Sequence, residues 1–130
     1  MDYIIDTIGN KLWYKEGHLH REDGPAIEWA NGDKVWYKDG KRHRIDGPAI
    51  EYIDGHKEWY VEGDSHRIDG PAIESYNGDK HWFIEDMRHR IDGPAVELTN
   101  GTKEYYYLDK YINCSSNEEY FKFLKLKAFW

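Results

Sequence analysis

Short runs with an apolar or aromatic centre, separated by polar breaks that carry glycine, follow one another along most of the chain. Pro25-Ala26-Ile27-Glu28-Trp29 leads into Asn31-Gly32, and Lys34-Val35-Trp36-Tyr37-Lys38 follows, polar at its ends and aromatic at its centre. The two runs predict an antiparallel hairpin closed by a two-residue type I′ turn, because Asn-Gly and Asp-Gly supply the positive φ angles that this turn requires. The same break returns at Asp54-Gly55, Asn77-Gly78 and Asn100-Gly101. A second turn is predicted after the aromatic pair, at Asp39-Gly40 and Glu62-Gly63, and in later units at Glu85-Asp86 and Asp109-Lys110. Pro25, Pro48, Pro71 and Pro94 have no N–H to give to a ladder and so mark strand starts. The pattern predicts about ten short strands in a meander.

The runs are copies of one another. His20 to Glu28 returns as His43 to Glu51, His66 to Glu74 and His89 to Glu97, a period of 23 residues. In phase with it Trp13-Tyr14 returns as Trp36-Tyr37, Trp59-Tyr60, Trp82-Phe83 and Tyr105-Tyr106. Such self-similarity indicates an array whose units bury their apolar faces by stacking on their neighbours. The predicted fold is all-β, an elongated array of about five antiparallel β-hairpin repeats over residues 1–112, closed by a short C-terminal cap over 113–130.

Alternation along a strand puts Trp13, Trp36, Trp59 and Trp82 on one face, and Tyr14, Tyr37, Tyr60 and Phe83 on the other. A single layer cannot bury both. The His-Arg-x-Asp-Gly-Pro connections are expected to fold over one face with Ile45, Ile68 and Ile91 packing inward, leaving the other open to a partner. After Tyr107 the period fails, with Ile112 where a histidine is due. Ser116, three residues before Glu119, is a capping-box signature for a helix. Tyr120, Phe121, Phe123, Leu124, Ala128 and Trp130 share its apolar face, which Lys127 interrupts, although 121–127 also tolerates a strand reading.

Composition narrows the function classes. Charged residues at 33% beside aromatics at 16% describe a thin aromatic core in a solvated surface, not a disordered chain. A net charge of -7 opposes association with nucleic acid or an anionic membrane. Cys114 is the single cysteine, no run approaches the about 20 apolar residues of a membrane span, and Tyr3-Ile4-Ile5 lacks the basic flank and length of a signal sequence. The expected setting is the cytoplasm.

Histidine, arginine and aspartate recur together in every full unit, whereas catalysis needs one unique arrangement. Packing roles are therefore expected: Asp caps the Gly-Pro turn, and Arg pairs with Glu28, Glu51, Glu74 or Glu97. Equivalent histidines two strand spacings apart, about 9 to 10 Å, are awkward for a zinc ion whose nitrogen ligands sit at about 2.0 to 2.1 Å. Cys114 stands near a helix start, where the dipole could lower its pKa, but has no partner base. No catalysis, metal or cofactor is expected. Arg21, Arg44, Arg67 and Arg90 beside aromatic faces form an alternative anion-binding ladder, against which stand their acidic neighbours.

The period and the order of Trp36-Tyr37-Lys38-Asp39-Gly40-Lys41-Arg42-His43 resemble MORN repeats over residues 1 to about 110. The His-Arg-x-Asp-Gly-Pro-Ala variant is similar to MORN-type repeat proteins of large bacteriophages and giant viruses, and to some bacterial repeat proteins labelled as antitoxins. The resemblance implies a twisted hairpin array used for protein contacts, self-association or, in some members, lipid attachment, with no catalysis by the repeats. The leading expectation is a non-enzymatic scaffold, of phage or viral origin, that binds and inhibits a host intracellular protein through Trp13, Trp36, Trp59, Trp82, Tyr14, Tyr37 and Tyr60. The alternatives are a sink for an anionic nucleotide and an acidic mimic of nucleic acid. The first strand, Tyr3-Ile4-Ile5, is an edge open to pairing with a second copy.

Overall fold

The computed structural model describes residues 2–127. One antiparallel sheet of twelve short strands runs the length of the array. Its path is Asp2–Ile5, Lys11–Lys15, Ile27–Glu28, Lys34–Val35, Ile50–Glu51, Lys57–Glu58, Ile73–Glu74, Lys80–His81, Val96–Glu97, Lys103–Tyr107 and Lys110–Ile112, with His18–Leu19 paired to Lys11–Lys15 beside it. Three two-stranded ribbons flank it: Tyr37–Lys38 with Lys41–Arg42, Tyr60–Val61 with Asp64–Ser65, and Phe83–Ile84 with Met87–Arg88. A helix, Asn117–Lys127, follows. The predicted all-β hairpin array with a short C-terminal helix is the observed one.

The strands are more numerous and shorter than the sequence suggests because those of the three middle units break at Trp36, Trp59 and Trp82, whereas Lys11–Lys15 and Lys103–Tyr107 stay whole. Lys34–Val35 pairs within the long sheet, whereas Tyr37–Lys38 turns away to pair with Lys41–Arg42. Trp36 is the pivot, its N–H donating to the Ala49 carbonyl at 2.7 Å and its own carbonyl accepting from His43 at 3.2 Å. Trp59 and Trp82 make the same two bonds.

The type I′ geometry expected at Asn31-Gly32 is found instead at the second turn. At Asn31-Gly32 only the glycine has positive φ, at 101°, and the loop is bracketed by Trp29 N–H to Asp33 C=O and Gly32 N–H to Trp29 C=O. That is a three-residue loop, a type I turn followed by a left-handed glycine that forms a bulge, and not the two-residue type I′ turn. The type I′ geometry lies after the aromatic pair, where both residues have positive φ: Asp39 at 49° and Gly40 at 81°. In the last unit it falls on Leu108 and Asp109, one residue earlier than Asp109-Lys110. Composition did not separate the two turns, because Asp-Gly and Asn-Gly suit either loop and the type I′ turns are led by residues as different as Asp39, Glu62 and Leu108.

The cross-strand register sorts side chains into two rows. One alternates in charge across nine strands: Lys11, Glu28, Lys34, Glu51, Lys57, Glu74, Lys80, Glu97, Lys103. No like charges face each other, and each opposed pair contributes at the low end of about 0.2 to 1 kcal/mol. The other row begins Ile4, Leu12, Ile27, Val35, Ile50 and gives the core, where Ile27, Val35 and Ile50 are buried against Leu12, Leu19, Tyr37 and Tyr60. Each fully buried aliphatic side chain is worth about 1.5 to 3 kcal/mol.

The helix stops the array. Ser116 Oγ accepts the Glu119 N–H at 3.2 Å, and the Glu119 carboxylate accepts the backbone N–H and hydroxyl of Ser115, a capping box displaced by one residue. Tyr120 is fully buried with Tyr105 and Ile112, and its hydroxyl reaches the carbonyl oxygens of Arg90 at 2.5 Å and Tyr106 at 3.1 Å. Burial in that cluster pushes the phenol up to about 12. Phe123 and Leu124 share the cluster, but Phe121, one residue round the helix, is exposed; Ala128 and Trp130 lie outside the described residues. Lys127 does not break the apolar face: its ammonium sits 4.2 Å over the Tyr107 ring.

Candidate functional site

In every full unit the connection folds back as an arginine roof over a tryptophan ring. The guanidinium carbons of Arg21, Arg44, Arg67 and Arg90 stand 3.9, 3.8, 3.8 and 3.9 Å from the ring centres of Trp13, Trp36, Trp59 and Trp82. Each guanidinium is committed on its edges as well. In the third unit Arg67 Nε donates to Asp69 at 3.0 Å, and Nη1 donates to the Pro71 carbonyl at 3.0 Å and to Glu74 at 3.3 Å. The other three units repeat the set with Asp23, Pro25 and Glu28, with Asp46, Pro48 and Glu51, and with Asp92, Pro94 and Glu97. The arginine–glutamate pairing is as expected. The aspartate serves the guanidinium beside it, and that hydrogen bond holds the Asp23 and Asp46 carboxyls below their ordinary value.

The recurrent glycine of Asp-Gly-Pro is explained by room and not by φ. A Cβ on Gly70 would lie 2.8 Å from the Arg67 guanidinium carbon. The roof closes only over a bare backbone.

The histidines stitch one unit to the next. Nδ1 of His20, His43, His66 and His89 accepts the backbone N–H of Asp39, Glu62, Glu85 and Leu108, the first residue of the following unit's type I′ turn, at 2.9, 2.9, 3.0 and 2.9 Å. Sequence reasoning placed these side chains in packing without finding the bond; the signal was their fixed position before the arginine, 19 residues ahead of a turn. On the opposite edge Asn10, Asp33 and Asp79 take the N–H groups of Ala30, Ile53 and Thr99 in the same way.

Above this frame the isoleucines do not pack inward. Ile45, Ile68 and Ile91 are 77%, 83% and 61% exposed, because the space beneath the connection is filled by the stacked arginine and tryptophan. They form an outward row bounding three successive clefts. One of about 890 Å³ lies between Pro25, Trp36, His43 and Ile45, one of about 750 Å³ between Ile45, Trp59, Val61 and Ile68, and one of about 660 Å³ between Ile68, Trp82, Ile84 and Ile91. The candidate tryptophans thus form cleft walls, half-buried, with Trp13 beside a smaller cleft next to Tyr3. Tyr37 and Tyr60 belong to the other side, packed on the aliphatic cluster, and Tyr14 is half-buried opposite Leu19.

Little else is arranged for chemistry. Burial, with the Glu119 charge second, pushes the Cys114 thiol up, so the helix start does not activate it. Among the described residues no group of three or more His, Cys, Asp and Glu side chains is placed to hold a metal ion, and no helix is long and apolar enough to cross a membrane. Comparison of the chain with protein-family models, curated proteins and solved structures finds no match.

Proposed function

We propose that the chain is a non-catalytic protein-interaction scaffold that takes its partner on the clefted face. The observation that carries this reading is the row Ile45, Ile68 and Ile91. Three branched aliphatic side chains are held out to solvent on loops fixed by stacked, hydrogen-bonded arginines, each beside a cleft with a tryptophan wall. They contribute little to the fold where they stand, while apolar anchors beside aromatic pockets are the usual centre of a protein interface. Taken with the resemblance to phage and giant-virus repeat proteins, the partner is a host protein inside the infected cell and binding inhibits it.

The two alternatives draw less support. Nε and Nη1 of each arginine are already bonded within the unit, which leaves a nucleotide phosphate little to gain. A mimic of nucleic acid needs a stripe of one sign, whereas one sheet face alternates lysine and glutamate.

Affinity capture from host lysate, comparing the wild-type chain with an Ile45→Asp, Ile68→Asp double variant, tests the reading. The variant is expected to melt within a few degrees of wild type, since both residues are exposed, and to lose the protein that wild type retains. Equal retention by both chains would falsify it. So would stabilisation by a nucleotide panel with no protein retained, since saturation at 100 times the dissociation constant adds about 2.7 kcal/mol.

A further inference from the structure

The two ends of the array are built differently. At the C-terminal end Tyr120 takes the carbonyl groups of Arg90 and Tyr106 and the helix packs over Ile112. At the other end Asp2–Ile5 is the last strand of the sheet, and no strand among the described residues lies beyond it. Its side chains are not those of a protected edge: Tyr3, Ile4 and Ile5 are about half exposed, and Ile8 in the following loop is 72% exposed. Edges that must stay single carry charge, proline or a bulge. This one carries three consecutive apolar residues.

The register shows which backbone groups are free. Asp6 N–H donates to the Asn10 carbonyl, so the residues that bond inward to Lys11–Lys15 are those in step with Asp6, and Ile4 is among them. Tyr3 and Ile5 point their N–H and C=O outward. In the next units the equivalent residues Ala26 and Glu28 direct these groups at the preceding strand, the Ala26 carbonyl accepting the Trp13 N–H and Glu28 pairing with Lys11. Among the described residues no strand precedes Tyr3 and Ile5.

We propose that this edge pairs with the same edge of a second copy about a two-fold axis through Ile4, continuing the sheet from one chain into the other. That register sets Tyr3 opposite Ile5 of the second copy and Ile5 opposite its Tyr3. It uses every outward group of both residues in four hydrogen bonds and makes two aromatic–aliphatic cross-strand pairs. Ile4 meets Ile4 on the face that carries Leu12 and Ile27, so the aliphatic rows of the two chains join. Two carboxylates stand two positions from the axis, and the register sets Asp6 of each chain opposite Asp2 of the other. The Asp6 carboxylate is turned into its own loop by the N–H groups of Ile8 and Asn10 and by the Asn10 side-chain amide, which reduces that repulsion. Because both chains use the same edge about a two-fold axis, that edge is consumed and the association closes at two chains. A strand this short buries less than the roughly 1,200 Å² of a standard interface, so the dimer forms reversibly with concentration. Net charges of -7 on each chain make salt favour it.

Sedimentation equilibrium and register-specific cross-linking test the proposal. Wild type is expected to pass from monomer to dimer as concentration rises, at lower concentration in higher salt. Ile5→Pro, which removes an outward N–H and no inward bond, is expected to stay monomeric with an unchanged circular dichroism spectrum. In a Cys114→Ser background, Ile4→Cys is expected to form a disulfide-linked dimer on mild oxidation, its opposed Cα atoms lying about 4.5 Å apart in a non-hydrogen-bonded pair. Ile5→Cys is expected to cross-link at least tenfold more slowly. A wild-type chain that is monomeric throughout, an Ile5→Pro dimer as strong as wild type, or faster cross-linking through Ile5→Cys would each overturn the proposal. So would capture of an extended peptide at this edge by a chain that never self-associates.

Discussion

Asp39 donates its backbone N–H to Nδ1 of His20 at 2.9 Å, which fixes His20 as the tautomer protonated on Nε2. Nε2 in turn lies 3.4 Å from the Glu22 carboxylate. The bond joins two units across a turn whose amide has no other acceptor. His20 is also 2% exposed. His20→Ala therefore leaves a cavity and an unsatisfied amide and should lower stability by about 1 to 3 kcal/mol in urea titration. His18→Ala, at an exposed position, should stay within about 0.5 kcal/mol.

The last histidine of the ladder gives a pH dependence. Burial, and then the Lys127 ammonium, hold His89 below its ordinary value of 6.5, and burial followed by Arg88 does the same for His81. Both are thus more readily protonated in the unfolded chain. The stability they contribute is present above the unfolded pKa of about 6.5 and is lost as pH falls through their lower folded values. The urea midpoint should fall between pH 7.5 and pH 5, and by less in Lys127→Met, which removes one of the causes at His89. An unchanged midpoint would refute the account.

Arg67 and Gly70 should behave as one unit. Gly70→Ala puts a methyl 2.8 Å from a guanidinium held by Asp69, Pro71 and Glu74, and should cost about 1 to 3 kcal/mol. With Arg67→Ala already made, the methyl has space, and most of that cost should disappear. A double-mutant cycle reads the coupling directly; additive effects would mean that the roof does not set the glycine.

Leu108 is a site where the chain can be improved. It leads a type I′ turn at φ 45°, a conformation that asparagine adopts at less cost than leucine. Its N–H bond to His89 survives substitution, and its side chain is 47% exposed. Leu108→Asn should raise stability by up to about 1 kcal/mol, seen as a higher melting temperature.

The 23-residue period, the hairpins, the arginine–glutamate pairs and the capping box at Ser116 were legible because each is a local pattern with one dominant physical meaning. What the pattern could not give was which partner satisfies a group from a distance. Asp-Gly reads as a turn, yet the glycine after Asp69 serves Arg67 and the glycine after Asp39 serves φ, and only the fold separates the two. Ile68 reads as core for the same reason: hydrophobicity says that it wants burial, not that Trp59 and Arg67 have already filled the space. The row of exposed isoleucines, on which the functional reading rests, is thus a place where local composition and the folded structure disagree.

Tyr120 has a meaning beyond the capping of one surface. Every earlier unit ends on a handle for another: a histidine nitrogen, a strand edge, and a carbonyl awaiting the next turn. Nothing in those units counts how many precede them. A duplicated or deleted block of 23 residues would leave each junction as it was, and the protein would simply become a longer or shorter ruler. The number of units is written only where a phenol closes the last carbonyls, so a single aromatic side chain acts as the stop mark of an otherwise open-ended scale.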